Sequence, residues 1–188
     1  MKGFTLVELL VIIVVLGLVS GAVYTAYALS QRAYREGEAA AELTQNGRIV
    51  LERMTREIRQ AREIVTELPS TSTEATSTIE FEDGHDISYV HYVRYFLDNN
   101  EQTVKREVIA YYFDPSGDPN STSTYVVWDA TPPEGETLST TTLEDPEIIG
   151  ERVANLKFWE SRTINIFLTL KKGEKTLKLG TEILGRNL

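Results

Sequence analysis

Polar and apolar positions divide this chain into stretches of different periodicity. Between Lys2 and Arg32 the only charged side chain is Glu8, and Leu9 to Gln31 carries no charge. As a helix those 23 residues extend ~35 Å against a bilayer hydrocarbon core of ~30 Å, so the stretch is long enough to span a membrane with some tilt. Gly17, Ser20 and Gly21 are small residues of the kind that let helices approach closely in lipid. Past Ser30 the period changes. Gly47, Val50, Leu51, Met54, Ile58, Ala61, Val65 and Leu68 recur at spacings of three and four, which predicts an amphipathic helix ending at Pro69. Arg53 and Glu57, Glu52 and Arg56, and Arg59 and Glu63 stand four apart on its other faces. A glycine inside a helix costs ~1 kcal/mol relative to alanine, so a kink or loosening is expected at Asn46-Gly47.

From Pro69 to Thr78 the chain is Ser/Thr-rich and reads as a linker. Strand signals follow at residues 78–82, 87–97, 104–113, 125–129, 156–160, 164–170 and 176–184. Turn formers at Asp98-Asn99-Asn100-Glu101 and Lys172-Gly173-Glu174 predict two hairpins. In the last of these, Ile164, Ile166, Leu168 and Leu170 share one face, as do Leu177, Leu179, Thr181 and Ile183. Residues 114–150 hold Pro115, Pro119, Pro132, Pro133 and Pro146 among Thr/Ser runs and read as long exposed loops, a place for partner contacts. The apolar face of the resulting antiparallel sheet needs a cover, and the helix stripe supplies it. The expected class is therefore α+β: a hydrophobic helix over 4–31, an amphipathic half over 32–68, a linker over 69–78, and a sheet head over 79–188.

Charge narrows the function. With 28 acidic and 19 basic side chains the chain carries a formal −9, which disfavours a nucleic-acid-binding body. Arg48, Arg53, Arg56, Arg59 and Arg62 are interleaved with glutamates and read as a solvated helix face. No cysteine is present, so disulfides, thiolate chemistry and Cys-ligated zinc are excluded. The two histidines, His85 and His91, lack the companions of a catalytic triad. Asp83, His85 and Asp86, or the loop Asp114 to Asn120, could ligate calcium, but neither has the fixed ligand spacing of an EF-hand; solvated turn acids are the expectation, with no cofactor or metal. Tyr89, Tyr92, Tyr95, Phe96, Tyr111 and Tyr112 could form a stacking platform, although strand aromatics are more often sheet cladding. Asn120-Ser121-Thr122 matches a glycosylation sequon.

Three readings compete for the amino end. A secretory signal would be cut at Ala26-Tyr27-Ala28, releasing a β-rich binding module or enzyme. A plain anchor would leave Glu8 an interfacial accident. An intramembrane carboxylate is, however, by default a site in need of a partner. The run Gly3-Phe4-Thr5-Leu6-Val7-Glu8, after Lys2 and before the apolar helix, resembles the type IV prepilin signature. The resemblance implies that a prepilin peptidase cuts between Gly3 and Phe4, leaving residues 1–3 as leader, and methylates the new amino group of Phe4. A glycine before the cut admits backbone angles closed to other residues, and the freed amine, with a pKa of ~7.7 to 8, is a cation at the bilayer edge. In the family the glutamate, here Glu8, is thought to meet the terminal amine of a neighbouring subunit. In low dielectric that pairing favours one register of docking.

The family commonly has a proline partway along this helix; here none precedes Pro69. Lys2 against Arg32 and Arg35 leaves the topology ambiguous by charge alone, and the resemblance implies a cytoplasmic leader. Arg48 to Arg59 and the ending Thr181 to Asn187 are similar to minor pilins and to the J-type pseudopilin of type II secretion. The chain is thus expected to be a non-enzymatic minor pilin or pseudopilin of the inner membrane. Its expected partners are prepilin peptidase, other pilin or pseudopilin subunits met through the hydrophobic helix, and the pilus assembly platform.

Overall fold

The computed structural model describes residues 5–84, 89–114, 124–160 and 162–184. One long helix, α1 (Leu6–Gln60), precedes seven strands: β1 (Thr78–Glu82), β2 (Tyr92–Asp98), β3 (Thr103–Asp114), β4 (Thr137–Gly150), β5 (Val153–Trp159), β6 (Thr163–Lys172) and β7 (Lys175–Leu184). The chain forms two compact units, Met1–Ala41 and Glu42–Leu188.

In the first unit every described residue is helical from Leu6 onward, and the apolar side chains from Leu6 to Leu29 are exposed. No proline interrupts this run, so the helical backbone satisfies its own hydrogen bonds, which is what a segment in hydrocarbon requires.

In the second unit the remainder of α1 buries Leu43, Gly47, Val50, Met54 and Ile58, one stripe at spacings of three and four. The stripe shares a core with Phe81, Val93, Tyr95, Val104 and Val108 of one sheet and with Leu156, Phe158, Ile164, Ile166, Leu168 and Leu170 of the other. Both sheets are antiparallel meanders, in the orders β1-β2-β3-β4 and β5-β6-β7. The α+β class is as expected, with two sheets where the strand pattern implied one.

The helix passes through Gly47 without a break, so the expected weak point does not interrupt it. A Cβ at Gly47 would stand 2.5 Å from Leu179 Cδ1 and 2.8 Å from Leu170 Cδ1. The glycine is there because the helix approaches the β6–β7 hairpin closely at this point.

The helix also ends early, at Gln60 rather than Leu68. Ile64, Val65 and Thr66 are β-branched and favour extended backbone. The segment after Ala61 runs along β1, with the Val65 N–H donating to Glu80 O at 2.9 Å and the Glu82 N–H to Glu63 O at 2.9 Å.

The largest correction is β4, 14 residues long and paired with β3, in the region expected to be loops. It is an edge strand, mostly exposed, so no alternation of apolar positions announces it. Its threonines suit a strand, and an edge tolerates a proline. The register jumps from Arg106↔Glu147 to Val108↔Glu144, which absorbs Asp145-Pro146 in a bulge. The expected strand at 125–129 reduces to one bridge, Tyr111↔Val126. The expected strand over 87–97 is described from Tyr92, residues 87 and 88 lying outside the described residues. The terminal hairpin keeps its expected faces, pairing Ile164 with Ile183, Ile166 with Thr181, Leu168 with Leu179 and Leu170 with Leu177.

Candidate functional site

At the amino end, Thr5 and Glu8 close a reciprocal capping box on the first turn of α1. The Thr5 N–H and Thr5 Oγ1 donate to Glu8 Oε2 at 2.9 and 3.0 Å, and the Glu8 N–H returns a bond to Thr5 Oγ1 at 3.3 Å. The helical ladder then starts with Leu9 N–H to Thr5 O at 3.2 Å. Thr5-Leu6-Val7-Glu8 is the Thr-x-x-Glu sequence of this motif, and the cap was legible in the chain although the prepilin resemblance drew attention only to the glutamate.

Two consequences follow. The box satisfies donors that a helix end otherwise leaves unpaired, at the place where hydrocarbon would make them costly. It also fixes the carboxylate at the helix start, where a negative charge is favoured by the helix dipole. Both Thr5 bonds fall on Oε2, and among the described residues Oε1 accepts none. Gly3 and Phe4, the expected cut site and methylation site, lie outside the described residues, as does the glycosylation sequon.

Gly17 and Gly21 are four apart on the apolar helix, and nothing lies within 4 Å of a Cβ added at either. Among the described residues one helix is long and apolar enough to cross a membrane, and its apolar window is unburied.

The described residues of the head form several polar clusters. Glu57 on α1 accepts from Tyr95 Oη at 2.7 Å and Arg106 Nε at 3.0 Å, with Arg53 Nε at 3.4 Å. Arg53 and Arg106 reach on to Glu147 and Glu144 of β4, each at 2.8 Å. This ties the helix to β2, β3 and β4. Tyr95 is fully buried; burial, and then the charge of Glu57 beside it, push its hydroxyl pKa up. Glu147 is held below its ordinary carboxyl range by the hydrogen bond from Arg53.

On the other side of the sheet, Glu80 takes Arg94 at 2.9 Å and Tyr111 Oη at 2.6 Å, and Arg94 also holds Glu107 at 2.9 Å. The Tyr92 ring packs edge-on to Tyr111 at 5.0 Å, and its hydroxyl, pushed up to about 12 by burial, accepts the Trp128 N–H at 3.0 Å. A third cluster joins Glu42 on α1 to Arg152 at 3.0 Å and to Lys172. Sequence reasoning missed these networks; their trace was Arg94, Arg106 and Glu107 set inside otherwise apolar strands.

The other candidates resolve into structure. Tyr92, Tyr95 and Tyr112 are buried and clad the head's interior, Phe96 and Tyr111 are half-buried, and Tyr89 is exposed. Asp83 Oδ2 meets His91 Nε2 at 3.1 Å, while His85 and Asp86 lie outside the described residues, as does the possible calcium loop beyond Asp114. Among the described residues no three His, Asp or Glu side chains group to hold a metal. Of the arginine series, Arg53 and Arg62 pair with glutamates.

A family model described as the prokaryotic N-terminal methylation motif matches residues 1–24. No curated protein matches the chain, and no solved structure matches it. The motif together with the long apolar helix supports a type IV pilin-like protein. It implies processing by prepilin peptidase and assembly with other pilin subunits in a membrane, and with the apolar helix it fits a membrane-anchored pilin.

Proposed function

We propose that this chain is a non-enzymatic structural subunit of a type IV pilin-like filament, in the role of a minor pilin or a type II secretion pseudopilin. The observation that carries the proposal is a matched methylation motif opening a helix whose only charge between Lys2 and Arg32 is Glu8. In this reading, prepilin peptidase removes residues 1–3 and methylates Phe4. The chain waits in the cytoplasmic membrane with its head outside the cytoplasm, and the assembly platform draws the apolar helix into a bundle of like helices. A heterologous contact repeated along a screw axis builds an open filament. The Phe4 amine of one subunit meets the free oxygen of Glu8 on a neighbour, a pairing strengthened by low dielectric.

The capping box makes this testable by an exchange that separates charge from geometry. Gln at the third helical position fills a capping box as Glu does but carries no charge. Glu8→Gln and Glu8→Ala are both expected to be cut normally and to be lost from sheared filaments to a similar extent. Normal incorporation of Glu8→Gln, with loss confined to Glu8→Ala, would assign Glu8 to capping and remove the docking role.

A further inference from the structure

Two sheets present four outer edges, and the protein treats three of them alike. The β1 edge is covered by the segment after α1, through the Arg62 and Val65 N–H groups to Glu82 O and Glu80 O at 3.1 and 2.9 Å. The β5 edge is engaged by Phe158 N–H to Thr76 O and Val153 N–H to Gln102 O, both 2.8 Å, and by Glu160 N–H to Pro69 O at 2.8 Å. The β4 edge carries Pro146, the acids Glu144, Asp145 and Glu147, and three register shifts, the devices that blunt an edge against pairing.

β7 differs. Its ten residues contain no proline, its pairing with β6 runs without a register shift, and among the described residues no backbone bond reaches its outer side. The two-residue loop Gly173-Glu174 closes on the pair Lys172↔Lys175, so residues 175, 177, 179, 181 and 183 bond to β6. The N–H and C=O groups of Thr176, Lys178, Gly180, Glu182 and Leu184 then point outward. Lys171 N–H donating to Arg152 O, away from β7, at 2.8 Å obeys the same alternation.

Beside that edge lies an open groove of about 760 Å³ between α1 and β7, with Leu51 and Leu179 among its apolar lining. Its helix wall carries Arg48, Arg56 and Arg59 against a single acid, Glu52, all exposed. Among the described residues these three make no ion pair, whereas Arg53, Arg62, Arg94, Arg106 and Arg152 each hold a glutamate. A chain of net −9 thus gathers three unpaired guanidinium groups along a row of unpaired backbone donors and acceptors.

We propose that β7 accepts an added strand from a partner polypeptide, an extended segment whose acidic side chains lie opposite Arg48, Arg56 and Arg59. Main-chain bonds to the β7 edge supply affinity, and the arginines select the sequence. This surface stands whether or not the chain enters a filament.

The test uses the full chain in detergent micelles and a fluorescent eight-residue peptide alternating Val and Glu, followed by anisotropy. The peptide is expected to bind, its Lys-for-Glu counterpart at least about tenfold more weakly, and the double variant Arg56→Glu/Arg59→Glu to reverse that order. Methylating alternate backbone nitrogens of the Val/Glu peptide removes ladder donors without touching the protein, and is expected to abolish binding. No binding, equal binding of the two charges, or undiminished binding of the methylated peptide would each overturn the proposal. So would a disulfide between copies through Lys178→Cys that excess Val/Glu peptide fails to suppress, since that would give the edge to a second copy of this chain.

Discussion

At the scale of single residues, the proposed function gives one carboxylate two purposes. Glu8 closes the first turn through Thr5, and the proposal assigns its other oxygen to a neighbour. Removing a Ser/Thr cap typically costs ~1 kcal/mol, so Thr5→Ala is expected to speed amide exchange in the first turn of α1 about fivefold while leaving the head unaffected. In the head, Glu57 holds a buried tyrosine and two arginines. Its loss strands those donors, and hydrogen bonds to charged groups contribute ~1.5 to 3 kcal/mol. Glu57→Ala is expected to lower head stability by about 2 kcal/mol in urea unfolding, and Tyr95→Phe by less.

Tyr92 and Tyr95 have folded-state pKa values above the unfolded ~10. Their neutral forms therefore favour the fold, fully below pH ~10, and this contribution is lost as pH rises through about 12 for Tyr92. Alkaline titration followed by tyrosinate absorbance and circular dichroism is expected to show ionisation of these rings together with unfolding. Ionisation with the fold intact would contradict their burial. Glu8 could be singled out from sequence because it is the one charge in a long apolar run. Glu57 and Glu80 could not, being two glutamates among many; Arg53 is four positions from Glu57, but their other partners sit 14 to 49 positions away.

At the scale of elements, what sequence shows depends on how strongly burial imprints a period. The helix stripe and the β6–β7 hairpin read clearly because one face is buried and the other wet. β4 did not, because an exposed edge strand lacks that contrast and Pro146 imitates a loop. The helix end was misplaced for the opposite reason: Ala61, Val65 and Leu68 keep a helical spacing while their backbone follows the β1 edge.

Gly47 shows why composition alone misled. Propensity favours a larger residue there by ~1 kcal/mol, but the close approach to Leu170 and Leu179 makes overpacking the larger effect, typically ~1 to 3 kcal/mol. Gly47→Leu is expected to lower the urea midpoint of the head. At Gly37, where an added Cβ meets nothing within 4 Å, Gly37→Ala is expected to slow local amide exchange instead.

At the scale of the whole molecule, the account rests on an apolar helix that is kept. The exposed apolar side chains of the first unit form a surface larger than a soluble monomer normally presents, which membrane and filament core would each cover. A secretory cut after Ala28 would discard that surface. The two fates leave different mature proteins from the same gene product. The most direct measurement is therefore the intact mass and amino-terminal sequence of the native protein purified from cells with a working prepilin peptidase. The account predicts a chain beginning with N-methylated Phe4 and retaining α1. A mature chain beginning at Leu29, or one still beginning at Met1, would contradict it.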